Sequence, residues 1–131
     1  MNQDQYAALL QKFIAQEKEV SQRELKVAEA KANLTGFQVA HVTGPYVSWE
    51  TAEAVAGHES EVAKAEKALR EAREDLDTLK ASLVTHLPVK NIGVVVPLKH
   101  AADGPAERHV KAVPREEHPG GYALLIDGKE Y

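Results

Sequence analysis

Apolar residues return every seven positions near the start of the chain. Tyr6, Phe13, Val20, Val27 and Leu34 form one row, and Leu9, Gln16, Arg23 and Ala30 fill a companion row three residues on. A paired row at this spacing is one face of an α-helix. The pattern predicts a helix over 3–34. Asn2 and Gln5 stand at capping-box spacing at its start, and Asn33 and Gly36 supply a stop.

A second pair of rows follows. Val55, Val62, Leu69, Leu76 and Leu83 recur every seven residues, accompanied by His58, Ala65, Ala72, Leu79 and His86. This predicts a helix over 48–87, capped by Ser48 and ended by Pro88, with Gly57 as its weak point. Each set runs for five repeats, enough for a coiled coil. Helices of this size would be roughly 48 and 58 Å long, which suits an antiparallel hairpin.

In that hairpin, placing Leu34 opposite Val55 makes position i face 89 − i, so that Tyr6 meets Leu83 and Val20 meets Leu69. The seam near the connector is then lined by Ala28, Ala30, Ala32, Ala63 and Ala65. The opposite end gathers Tyr6, Leu9, Leu10, Phe13, Ile14, Leu76, Leu79, Leu83 and Leu87.

The connector, 35–47, reads as a short extended hairpin or an Ω-like tip. Its apolar stretch from Phe37 to Val42 and its Tyr46-Val47 pair flank Thr43-Gly44-Pro45. From residue 88 the pattern changes. The β-branched run in Val89–Leu98 predicts a buried strand, Tyr122–Ile126 a second, and Glu107–Val113, which alternates weakly, a third. Asp103-Gly104-Pro105 and Pro119-Gly120-Gly121 mark turns, and Asp127-Gly128 closes the last strand. A segment of this size cannot easily form an independent core.

The expected fold is therefore α+β: a long antiparallel two-helix coiled-coil hairpin over 1–87, then a small C-terminal antiparallel β segment over 88–131 packed at the hairpin base.

Composition narrows the function. The chain of 131 residues has no cysteine, which excludes disulfides, thiolate metal ligands and a cysteine nucleophile. Its 20 alanines account for much of the apolar content. A net charge of −4 lacks the basic footprint of a nucleic-acid binder. No apolar run is long enough for a membrane span. Met1-Asn2-Gln3-Asp4 has no secretory-signal character, so the expected location is cytoplasmic, or a virion assembled there.

Candidate chemistry is sparse. His100, His109 and His118 lie nine residues apart and could meet on adjacent strands around a metal, but none has helical ligand spacing. The acidic runs Glu74-Asp75-Leu76-Asp77 and Glu116-Glu117 have no evident cleft in which to split their pKa values. The serines lie in or at the start of helices, outside any nucleophile elbow. No catalytic residue, cofactor or metal site is expected.

Two apolar sets remain as candidate protein contacts. One is the hairpin tip: Phe37, Val39, Val42, Tyr46, Val47 and Trp49. Aromatic residues dominate binding hot spots, although these could also form a miniature core that closes the hairpin. The other is the outer face of the first helix: Leu10, Ile14 and Leu25. Either the β segment or another subunit should cover Leu10 and Ile14, whereas Leu25 favours a subunit. The expected function is a non-catalytic structural or assembly protein that self-associates and presents its tip to a protein partner, in keeping with a phage or bacterial particle.

In outline, a long acidic hairpin on a small β base resembles the transcript-cleavage factors that push a coiled coil into RNA polymerase. That resemblance would make Glu50, Glu53 and Glu59 the acidic residues brought to a metal. The apolar tip and the shorter C-terminal segment depart from it.

Overall fold

The computed structural model describes residues 1–99 and 106–131. Two long helices, α1 (Gln3–His41) and α2 (Trp49–Thr85), pack against each other as an antiparallel hairpin. A four-stranded antiparallel sheet follows, with β1 (Val94–Pro97), β2 (Glu107–Pro114), β3 (Tyr122–Ile126) and β4 (Lys129–Glu130) in spatial order β1-β2-β3-β4. The chain divides into two compact units: a helix–sheet unit, Met1–Gln16 with Asp75–Tyr131, and a hairpin unit, Glu17–Glu74.

In the helix–sheet unit the chain entry is set by the capping box. The Gln5 amide donates to Asn2 Oδ1 at 2.8 Å and the Asn2 amide to Gln5 Oε1 at 3.0 Å. α1 then buries Tyr6, Ala7, Leu10 and Phe13 with Leu83 of α2 and with Leu87 just beyond its end. The sheet closes over them with Val96, Val110, Ala112, Leu124 and Ile126. The expected packing of the β segment on the hairpin base is present, and it explains why so short a segment holds a sheet: its core is shared with the helices.

The register i to 89 − i appears in one contact. The Tyr6 hydroxyl donates to the Leu83 carbonyl at 2.8 Å. Leu83 lies in the last turn of α2, where carbonyls lose their helical donors. The Leu87 amide, which would normally serve it, turns to Val84 instead at 3.4 Å. Tyr6 therefore caps the end of α2 across the seam.

Burial pushes the Tyr6 phenol well above its ordinary ionisation range. Its contribution to stability is full at pH values below the ordinary phenol range, near about 10, and is lost as pH rises through the raised value. Tyr6→Phe strands the buried carbonyl and is expected to cost about 1–3 kcal/mol at neutral pH. Chemical denaturation of both proteins across alkaline pH should show their stabilities converging as pH climbs. A gap that stays constant would contradict this role.

The sheet bears out the strand expected at Glu107–Val113 and corrects two other sequence expectations. Val89–Leu98 is not one buried strand: only Val94–Pro97 pairs, and Ile92 is 64% exposed. β1 is an edge strand with one neighbour, so it cannot be enclosed on every side. Weakly alternating β2 is the longest strand and lies between β1 and β3. Its inward residues are Val110 and Ala112, while His109, Lys111 and Val113 take the other face. A fourth strand follows Asp127-Gly128, whose φ values of 52° and 85° build a two-residue hairpin turn.

Asp127 holds that turn in place. Its carboxylate accepts from the His109 amide and from Arg108, both at 2.9 Å. These contacts, with the His109 amide foremost, hold the Asp127 carboxyl below the usual carboxylate range. The expected turn at Asp103-Gly104-Pro105 lies outside the described residues.

In the hairpin unit, Val20, Val27, Leu69 and Ala72 are the buried seam residues. Glu24–Arg73 and Lys31–Glu66 flank it at 3.2 and 3.8 Å. The second pair lies seven residues on in α1 and seven back in α2, as an antiparallel heptad seam requires. Both pairs are exposed and add little stability. Ala30 and Ala65 line the seam as expected, but Ala28, Ala32 and Ala63 are exposed and do not.

The connector also differs from its expected bounds of 35–47. α1 does not stop at Leu34 but runs through the apolar stretch to His41. The two heptad rows themselves continue, to Phe37 and His41. Tertiary packing along that face overrides the stop signal at Asn33 and Gly36, at a cost of about 1 kcal/mol for a mid-helix glycine. Gly57 is likewise accommodated within α2.

Candidate functional site

The turn of the hairpin is built by local signals. The last helical bond of α1 runs from the Val42 amide to the Gln38 carbonyl at 2.9 Å. Thr43-Gly44-Pro45 then breaks the helix. Ser48 starts the next one: its hydroxyl accepts from the Thr51 amide at 3.1 Å, and its carbonyl from the Ala52 amide at 3.0 Å.

These constraints place the six tip residues unequally. Phe37 is half-buried, its ring 5.0 Å from that of His58 and 4.4 Å from that of His41. It closes the seam. Val39, Val42, Tyr46, Val47 and Trp49 are exposed. Tyr46 reaches 92% exposure and Trp49 77%, so neither belongs to a miniature core. The Trp49 indole Nε1 donates to Glu53 Oε1 at 2.7 Å, one helical turn on, which orients the ring. The partner of Phe37, His58, was visible in the companion heptad row but carried no sign of this ring contact.

The outer-face set separates differently. Leu10 has no exposed surface and is a core residue beneath the sheet, while Ile14 packs partly buried against the same cluster. The chain itself covers both, because the sheet lies over this end of α1. Neither is a free contact surface. Leu25 alone of the three stays open to solvent, at 62% exposure.

In the helix–sheet unit Val89, Ile92 and Val95 are exposed, which the sequence reading did not anticipate. The β-branched run suggests burial, but Val89 and Ile92 precede β1 and Val95 lies on an edge strand. The Leu98 amide donates to the Ala106 carbonyl at 2.7 Å. By the alternation of an antiparallel ladder, Val95 and Pro97 therefore turn their backbone groups toward the open edge. Pro97 has no N–H to offer there, which blunts the edge.

The polar clusters have separate structural partners. His109 sits 3.5 Å from Asp127, while His118 contacts Lys80 Nζ at 3.0 Å and Glu130 at 3.6 Å. His100 lies outside the described residues. Among the described residues, no group of three His, Asp or Glu side chains is arranged to hold a metal ion. The acidic runs at 74–77 and 116–117 carry their carboxylates on exposed positions. A shallow groove in the hairpin unit mixes Arg23, Lys26 and Lys64 with Glu29 and Glu61, so its charges select no ligand class. No described helix is long and apolar enough to cross a membrane. No family model, curated protein or solved structure matches the chain.

Proposed function

We propose that this chain is a non-catalytic structural or assembly protein that self-associates and presents the apolar-aromatic turn of its helical hairpin to a protein partner. A component of a larger phage or bacterial particle is the setting that such a part fits. The observation that carries the proposal is the exposure of Tyr46 and Trp49 at a helix–helix turn made firm by the Ser48 cap. Large aromatic rings left in water at a helix–helix turn are ready anchors for a partner's pocket.

The test is the double variant Tyr46→Ala with Trp49→Ala. Because both side chains lie outside the core, the thermal midpoint and helicity should hold, within about 0.5 kcal/mol of stability. Co-assembly with the native partner should weaken by about a hundredfold, the size of a hot-spot loss. Collapse of helicity would show that the rings serve the fold instead.

Self-association draws support from the exposed Val89, Ile92 and Val95 beside an open sheet edge. Light scattering over a concentration series measures it, and a strictly monomeric chain at every concentration would remove this half of the proposal.

A further inference from the structure

The net charge of the chain is confined to one segment. Between Lys31 and Lys64 there is no lysine or arginine, while Glu50, Glu53, Glu59 and Glu61 all fall there. Residues 1–31 hold five basic and five acidic residues, and residues 64–131 hold eleven of each. The whole formal charge of −4 therefore belongs to residues 32–63, which include every exposed aromatic and valine of the turn.

The four carboxylates are exposed. Glu50 and Glu53 stand in the first turns of α2 beside the aromatic pair, with Glu53 bonded to the Trp49 indole. Glu59 and Glu61 lie roughly 15–18 Å along the helix axis from Trp49, at 1.5 Å per residue. Glu61 meets Lys64 at 3.4 Å, where the basic-free segment ends. The turn thus combines an apolar-aromatic centre with the Glu50 and Glu53 carboxylates beside it, and Glu59 and Glu61 carry the negative charge farther down α2.

We infer that the partner of this turn is a protein surface with an apolar pocket rimmed by lysine or arginine. The inference rests on the proposed tip-docking function and adds the chemistry of the partner. Charge complementarity selects this occupant over the others. A second copy of the turn would bring like charge against like charge. Nucleic acid and anionic membranes would present phosphates to the same glutamates. A purely apolar pocket would leave the charge pattern without a role. A basic rim attracts the glutamates during approach and fixes the orientation in which Tyr46 and Trp49 enter the pocket.

Trp49 is the sole tryptophan, so its emission reports this turn directly in the full-length chain. The first probe is a synthetic helical peptide of leucine and lysine in amphipathic order, and the control replaces each lysine with glutamate. The expected result is a blue shift of Trp49 emission with the lysine peptide and none with the glutamate peptide. The apparent affinity should fall about tenfold or more between roughly 50 and 500 mM salt. The variant Glu50→Gln, Glu53→Gln, Glu59→Gln, Glu61→Gln should lose a similar factor. It leaves the Trp49 ring in place, because glutamine still offers an acceptor to the indole. Equal shifts with both peptides, or none with either, would overturn the inference. So would a shift on concentrating the chain alone, which names a second copy, or a shift with phosphatidylcholine vesicles, which names a lipid surface.

A photo-crosslinking residue at position 46, expressed in the native host, separates this inference from the function beneath it. Capture of one protein by the parent chain, weakened about tenfold or more in the four-glutamine variant, supports both. Undiminished capture by the variant keeps the docking function and removes the basic partner. Absence of any protein crosslink in both chains removes the docking function, and with it the inference that rests on it.

Discussion

Leu10→Asp is expected to unfold the helix–sheet unit, whereas the same change at Leu25 should pass almost unnoticed. Leu10 has no exposed surface and belongs to an apolar cluster whose one hydroxyl, on Tyr6, is already bonded to the Leu83 carbonyl. A carboxylate there has no partner to offset its desolvation, a penalty of several kcal/mol, and the lost leucine packing adds about 2–5 kcal/mol more. The sum rivals the whole stability of a typical domain, about 5–15 kcal/mol. Leu25 is open to solvent, and its substitution should shift stability by about 0.5 kcal/mol or less. Circular dichroism with urea titration separates the two. A folded Leu10→Asp protein would mean that the sheet does not cover α1 as described.

Phe13→Ala should cost about 3–5 kcal/mol, the range for removing a buried aromatic ring. Phe13 is almost wholly buried and meets the ring of Tyr131 edge-on, with centroids 5.1 Å apart and planes at 88°. Tyr131 is held there by two backbone bonds with Leu124, at 3.1 and 2.7 Å, which continue the β3–β4 ladder. Deleting Phe13 therefore opens a cavity and removes the edge-on contact of the Tyr131 ring. A double-mutant cycle with Tyr131→Ala should show coupling of about 0.5–1.5 kcal/mol between the rings. Additive losses would show that the edge-on contact has no energetic content beyond area.

Both experiments examine a core that was partly legible from residue spacing. Tyr6, Phe13 and Leu83 declared themselves by heptad position, and the pairing of Tyr6 with Leu83 followed from register arithmetic. Leu10 was visible only as a leucine off the seam. Helical periodicity says which residues share a face, but not what covers a second face. Val95 misled in the opposite direction: a β-branched run looks the same whether a strand is enclosed or at an edge.

The tip shows the same division. Tyr46 and Trp49 stood out by type and position, yet their exposure depended on where α1 stopped. The expected end at Leu34 would have left Phe37 to Val42 free to form a small core. The helix instead continues to His41, because the heptad face still finds α2 opposite, and that contact outweighs one unfavourable glycine. The extension leaves only Val42–Ser48 between the helices, too few residues to bury two aromatic rings.

By itself, the sequence determined the two helices, their antiparallel register, the Asn2 and Ser48 caps and the confinement of charge to one end of the hairpin. All of these depend on residue type at short or periodic spacing, which operates before any tertiary contact forms. Only the tertiary structure decided that α1 runs on to His41, that β2 turns Val110 and Ala112 inward, that the sheet covers Leu10, and that Tyr6 caps α2. Each of those outcomes is a competition between surfaces distant in sequence, and it is settled by which of them finds a partner when the chain folds.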